Sequence, residues 1–175
     1  MNTQAFRGQW DHFRQIVGIA IRLADTLPEN KLDSHPIPKM RTPRELIVHM
    51  FGMALRGVME GTATGSISNV TETDEKTIAA TLKTRADISR YCRENWAAAD
   101  KAALAITDEK LAGIVKTPWG MDFPGFVAVG VTYDEFIHHR GQLYAYLRAL
   151  GCDVPMMWDF EHNAAPFLPA ATAKV

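Results

Sequence analysis

The residues best suited to chemistry are a closely spaced glutamate and histidine late in the chain and a solitary histidine much earlier. Glu135 and His139 are four positions apart, so on a helix both side chains lie on one face and can reach a common ion. A third ligand on another helix would complete a metal site. His49 is the candidate for that third position.

Both parts of this candidate site share a helix face with core residues. Burying an ionisable side chain is costly unless it is paired, neutralised or bound to a metal. His49 lies on the side of its helix that also carries Leu46, Met50 and Met53. With a rotation of about 100° per residue, Glu135 and His139 fall on one face of their helix. The same face carries Ala128, Thr132, Gln142, Leu143, Tyr146 and Leu150.

Other polar residues are candidates for supporting roles. Gln142 and Tyr146 lie within two turns of His139 and could orient a ligand or hydrogen-bond a substrate. His138 is rotated by about 100° to the flank of the helix, so we expect it to support the site or to lie at the surface. For His12, ordinary packing beside its apolar neighbours and an approach to the site are the two alternatives.

Glu135 has a second interpretation as a helix cap. The sequence from Thr132 to Glu135 fits a capping box, in which Glu135 would turn back to the start of a helix beginning at Thr132. Gly125 and Gly130 weaken any helix that begins further upstream. The pattern therefore leaves two alternatives open, a metal ligand and a helix cap.

Apolar residues at spacings of three and four predict an all-α fold with four amphipathic helices. The first covers about residues 4–27. Thr42, Pro43 and Glu45 supply the cap, the first-turn proline and the capping box of the second, which should end near Gly61. The third is expected over about 75–105 with an inner face of Ile78, Leu82, Ile88, Cys92, Trp96 and Ala99, and the last from about 125 or 132 to Leu150.

The connecting segments also carry predictions. The loop from Pro28 to Arg41 is long enough to run the height of a bundle, so a crossover connection is possible. Residues 113–124 read as a loop or a short hairpin, whose Trp119 and Phe123 could wall an apolar substrate chamber. The tail from Cys152 is unusually apolar, so we expect it to pack onto the bundle or to contact a partner.

Composition narrows the function classes. The 175 residues suit one domain, 1–175, with a core over about 4–152, and 47% of them are apolar. A net charge of -1 argues against a nucleic-acid surface or a polybasic membrane contact. Cys92 and Cys152 read as reduced thiols, with Cys92 buried. Without a recognisable leader or spanning segment, a soluble cytoplasmic protein is expected.

Two segments make the chain resemble a known family. His138 to Gln142 read HHRGQ and are followed by an apolar helix ending in Leu150 and Gly151. This looks like the last helix of the DinB/YfiT-like superfamily. The segment from Arg44 to His49 resembles the second helix of that family, and with the order of the helices the likeness covers about residues 4–152.

The resemblance implies a four-helix bundle of up-up-down-down topology with a divalent metal between three histidines. Carried over position by position, the ligands are His49, Glu135 and His139, so glutamate replaces one histidine of the family. Two histidines and a carboxylate still form a set that metals accept, with positions left open to water or substrate. Zinc or nickel is the expected ion, with iron or manganese as alternatives.

The same resemblance suggests a reaction class. Characterised relatives are thiol-dependent transferases and isomerases, often dimeric, which implies a small-molecule substrate, a low-molecular-weight thiol and a homodimer. In this hypothesis the ion lowers the pKa of a bound thiol or water. The alternatives are a non-catalytic bundle that binds small molecules or oligomerises, and an ion that only stabilises the fold.

Overall fold

Apolar periodicity folds most of this chain into helices. In a computed structural model, which describes residues 1–169, the first helix, α1, spans Thr3–Asp25. The Asn2 side chain caps it by accepting a hydrogen bond from the amide of Ala5. The predicted helix is confirmed to within two residues at each end, and its apolar face is buried, from Phe6 to Ala24.

The second long helix consists of three joined segments. Helix α2 spans Pro43–Val48, a π-helical segment spans His49–Gly57, and α3 spans Val58–Thr64. The predicted capping box is confirmed, because Thr42 and Glu45 bond reciprocally. The helix ends later than predicted, at Gly65, whose φ of 93° is a conformation that glycine adopts without a steric penalty.

The π-helical segment begins at the candidate ligand His49. Its wider turn is visible where the Val58 amide reaches back to the carbonyl of Met53. The Tyr91 hydroxyl donates a 3.2 Å hydrogen bond to the Val48 carbonyl. A Cβ at position 52 would overlap this hydroxyl, so Gly52 makes the contact possible.

The prediction of one long third helix was wrong. The structure has two helices, α4 at Glu72–Thr81 and α5 at Arg85–Leu104. They separate because Thr84 and Asp87 form a capping box of their own, which starts a new helix. Ile78 is exposed and does not share the inner face of α5. The other predicted inner residues are buried: Leu82, Ile88, Cys92, Trp96 and Ala99.

A short helix and a small hairpin precede the last helix. Helix α6 spans Asp108–Ala112, and strands β1, Ile114–Val115, and β2, Phe123–Pro124, pair antiparallel. The predicted hairpin is therefore confirmed. Helix α7 then runs through Gly125–Ala149, which is the longer of the two predicted alternatives.

The described part of the C-terminal tail packs onto the helices. Phe167 is buried and its ring lies 5.8 Å from that of Trp96. The Asn163 amide donates to the Gln15 carbonyl of α1. Met156 and Trp158 remain exposed. The tail therefore contacts α1 and α5, and its last predicted residues, 170–175, lie outside the described part.

The site is positioned by α7 and the π-helical segment. These two elements pack against each other, and α7 also packs against α3, while α1 packs against α5 and α7, and α4 against α2. His139 lies beside His49, and Ala128 lies in one apolar cluster with Val58. The two elements are therefore antiparallel. Among residues 1–169, no helix has the length and apolarity to cross a bilayer.

Candidate metal centre

The structure brings His49, Glu135 and His139 together. One potential ligand atom from each lies within 4.8 Å of the others. The Oε2 atom of Glu135 is 3.1 Å from Nε2 of His139 and 3.9 Å from Nε2 of His49. The imidazole rings lie edge to face with centroids 4.7 Å apart. The three residues thus form a possible metal site between two helices.

The orientation of the His49 ring is fixed by a carboxylate that contacts the ring nitrogen away from Glu135. Its Nδ1 lies 2.7 Å from Oε1 of Glu75, a buried residue at the start of α4. Arg41 approaches the other oxygen of this carboxylate at 3.6 Å. An ionised carboxylate only accepts hydrogen bonds, so Nδ1 of His49 is the donor. The other ring nitrogen, Nε2, faces Glu135 and is the atom through which His49 can bind a metal.

The His139 ring is fixed in a similar way by an amide. Its Nδ1 donates to Oε1 of Gln142 at 2.7 Å, and the Gln142 amide nitrogen donates to Nε2 of His138 at 3.0 Å. With the amide placed in this orientation, a neutral His139 ring has its lone pair on Nε2. His138 is exposed and supports the site through Gln142.

The centre therefore brings Nε2 of both histidines and a Glu135 oxygen to one space, where Nε2 of His139 lies within hydrogen-bond distance of Oε2 of Glu135. Burial lowers the pKa of His139 below its usual value, and the neighbouring His49 and His138 lower it further, against opposing effects of Gln142 and Glu135. A lowered pKa keeps the imidazole neutral, which is the form that binds a metal. Two imidazoles and a carboxylate match the donor set of divalent transition metals.

Glu135 does not lie at a helix start. Helix α7 begins at Gly125, so Thr132 is inside the helix and the capping alternative does not hold. The expected burial of Glu135 was also wrong, because its side chain is 47% exposed. Its carboxylate nevertheless turns toward the two histidines. The exposed side leaves room beside the donor atoms for water or a small molecule.

Two cavities flank the three residues. One, of about 350 Å³, is lined by His49 and Glu135 and by apolar side chains including Met53 and Trp119; we call it the apolar cavity. The other, of about 690 Å³, is lined by His139 and several charged side chains; we call it the polar cavity. Arg41 and Glu72 line both.

Of the remaining predicted residues, some line the two cavities and others lie elsewhere in the structure. Met53 lines the apolar cavity, and Tyr146 lines the polar one. The buried Tyr146 hydroxyl has no hydrogen-bond partner among the described residues. His12 lies elsewhere, with its ring against Phe160 of the tail. Phe123 contacts Trp119 at 6.4 Å between centroids but does not line the apolar cavity.

Sequence reasoning missed Glu75. The sequence placed this residue only at the start of the predicted third helix, about 75–105, which carries no information about a partner on another helix. Its burial is the unusual property, since a glutamate is seldom buried unless paired. Thr71 caps α4, so Glu75 lies one turn into the helix, where it faces His49.

The family model named DinB family matches residues 1–167. The chain belongs to the DinB family. This confirms the resemblance stated from the HHRGQ segment and extends it over nearly the whole sequence. No curated protein sequence matches the chain significantly.

Solved structures support the same fold. A DinB-like protein from Bacillus cereus superimposes with a TM-score of 0.68 at 19% identity, covering 87% of this chain and 95% of that one. A DinB-like protein from Bacillus subtilis gives a TM-score of 0.67 at 16% identity, covering 83% and 94%. At these identities the likeness concerns the fold, and the mostly helical architecture is shared.

Proposed function

We propose that this DinB family protein is a divalent-metal-dependent enzyme acting on a small molecule, with His49, Glu135 and His139 as the metal ligands. One observation carries the proposal. Both histidines use Nδ1 for hydrogen bonds to Glu75 and Gln142, so both present Nε2 toward the Glu135 carboxylate. Such convergence is favourable when a cation is bound.

The surrounding residues have separate tasks in this proposal. Glu75 and Gln142 hold the imidazole rings in the tautomer that binds metal. A bound divalent ion supplies Lewis acidity and lowers the pKa of a thiol or water that it binds. With only three protein donors, the ion would keep coordination positions open to a ligand from the adjoining cavities, as in catalytic zinc sites. Arg41, shared by both cavities, is placed to contact a substrate.

The finer parts of the proposal rest on family resemblance. We propose a thiol-dependent transferase or isomerase, an up-up-down-down arrangement of four helices, a homodimer and a cytoplasmic location. Zinc or nickel is the proposed ion, and iron or manganese the alternative, because the carboxylate ligand is compatible with all four. Reaction type does not follow from the fold, so the reaction has its own test.

A second candidate is a non-catalytic bundle that binds small molecules at a degenerate metal site. The replacement of a family histidine by Glu135 favours it. The third alternative, an ion that only stabilises the fold, is less well supported because Glu135 is 47% exposed and two cavities adjoin the site. Structural ions are usually enclosed by four protein ligands.

The deciding experiment combines metal loading with a thiol-transfer assay. Protein purified without added metal would be loaded with zinc, nickel, manganese or iron, then incubated with bacillithiol, mycothiol or glutathione and an alkyl halide. Transfer forms a carbon–sulfur bond and releases halide and a proton. We expect metal-dependent halide release above the uncatalysed rate, abolished in His139→Ala. Stoichiometric metal binding without turnover of any thiol would favour the non-catalytic candidate.

A further inference from the structure

The apolar cavity changes character along its length. Its polar lining consists of His49 and Glu135 together with Arg41, Glu72 and Glu75, and the rest of the lining is apolar. The apolar lining consists of Met53, Ala54, Val58, Val70, Trp119 and Val131. A cavity with polar groups gathered at one end and apolar walls elsewhere fixes both the position and the orientation of a ligand.

The antiparallel packing of α7 and the π-helical segment produces this gradient. Moving away from the ligands, the π-helical segment presents Met53 and then α3 presents Val58, while α7 presents Val131 one turn before Glu135. A turn of helix is about 5.4 Å long. The apolar walls therefore begin about one helical turn from the candidate ligands.

The walls come from separate parts of the chain. Val70 lies between α3 and α4, and Trp119 lies in the loop between β1 and β2. Trp119 is partly exposed, at 46%, so it forms an outer wall next to solvent. The walls thus enclose a space of about 350 Å³, near the lower limit for small-molecule sites of roughly 300–1,000 Å³.

We infer that the substrate of this site is a small molecule with a compact apolar body and an oxygen or sulfur donor that reaches the ion. The donor group of this substrate is inferred from the proposed function, which supplies the metal ion. The apolar body is inferred from the lining of the apolar cavity. The polar cavity on the other side of His139 has charged side chains in its lining, including Lys39 and Lys76, and suits an apolar body less well.

Hydroxamates separate the two parts of this inference, because they share one metal-binding head and differ in the attached group. Acetohydroxamate and benzohydroxamate would be titrated calorimetrically into zinc-loaded protein. We expect benzohydroxamate to bind at least tenfold more tightly, since burying apolar carbon adds affinity. Equal affinity of the two compounds would overturn the inference while leaving the metal site intact.

A pair of substitutions on α7 gives a matched control. Val131→Phe fills the apolar cavity, so it should remove most of the advantage of benzohydroxamate while acetohydroxamate binding changes less than threefold. Val127 lies one turn away and does not line the cavity. Val127→Phe should keep the full preference. If both variants keep it, the benzene ring binds elsewhere and the assignment fails.

A measurement without metal tests the apolar end independently. With ¹³C-labelled methionine methyl groups, benzyl alcohol should shift the Met53 resonance through its ring current in metal-free protein. Met156 and Met157 are exposed in the tail and report nonspecific contact. A selective, saturable shift at Met53 supports the apolar subsite even if the protein binds no metal. Shifts confined to the tail methionines, or none, would overturn it.

Discussion

Nδ1 of His49 lies 2.7 Å from Oε1 of Glu75, a residue on a different helix and 26 positions further along the chain. The contact joins the π-helical segment to α4 and fixes which imidazole nitrogen faces the site. Metal-binding histidines commonly donate their other ring nitrogen to a carboxylate. The pair therefore belongs to the candidate metal centre as much as the three proposed ligands do.

Replacing this carboxylate should weaken metal binding without abolishing it. In Glu75→Gln the acceptor becomes neutral, so we expect the dissociation constant for zinc to rise about tenfold, at the low end of the range for such partners. Glu60→Gln is the control, since Glu60 pairs with Arg56 at the surface of α3 and lines neither cavity. Competition with a chromophoric chelator measures both constants, and equal affinities would remove Glu75 from the account.

Substitutions of Glu135 test whether this residue binds the metal or only lies beside it. Glu135→His restores the three-histidine set of the family, so metal binding should persist and shift toward zinc and nickel, which favour imidazole. Glu135→Gln exchanges an anionic oxygen for a neutral amide and should weaken binding by tenfold or more. Affinities for zinc, nickel and manganese would be compared in both variants. Unchanged affinity in the glutamine variant contradicts a carboxylate ligand.

Gly52 holds the geometry of the π-helical segment. An alanine there would overlap the Tyr91 hydroxyl, so Gly52→Ala should lower the free energy of unfolding by about 1–3 kcal/mol, as overpacking does. Gly141→Ala on α7 meets no neighbouring atom within 4 Å and should stabilise by up to about 1 kcal/mol.

Chemical denaturation measures the free energy of unfolding of all of these variants. Combining Gly52→Ala with Tyr91→Phe removes the overlapping hydroxyl, so the double variant should recover part of the loss. A Gly52→Ala protein as stable as the unmodified chain would show that the Tyr91 contact does not constrain this segment.

The pKa of His139 gives a prediction for pH. Burial lowers it below the usual 6.5, so the unfolded chain binds this proton more tightly than the folded one. The free energy of unfolding of metal-free protein should therefore fall as pH decreases through 6.5 toward the lower folded pKa. NMR titration of the imidazole rings, assigned with His139→Gln, measures this pKa. A midpoint at or above 6.5 would contradict the proposed neutral ring.

Local signals in the sequence predicted much of the fold. The caps at Thr42 and Glu45 and the periodicity of α1 and α7 depend on residues close together in the chain, where spacing determines contact. The break between α4 and α5 was missed because the capping box at Thr84 and Asp87 lies within an apolar pattern that continues across it. At this point the strong helix cap, and not the apolar periodicity, determines where the new helix begins.

The candidate site was predictable only in part. The spacing of Glu135 and His139 on one helix placed two side chains together, and the inward face of the second helix, together with the family resemblance, indicated His49. The sequence could not indicate Glu75, because its pairing with His49 depends on how α4 packs against α2. The exposure of Glu135 was unpredictable for the same reason, since a helix face becomes buried or exposed only through its neighbours.

The central claim is that His49, Glu135 and His139 bind one divalent ion. Crystals of protein loaded with zinc, measured above and below the zinc absorption edge, test it most directly. We predict one anomalous peak per chain, bonded to Nε2 of both histidines and to a Glu135 oxygen, with at least one water. A peak elsewhere, or none at this position after incubation with excess zinc, nickel and manganese, would contradict the account.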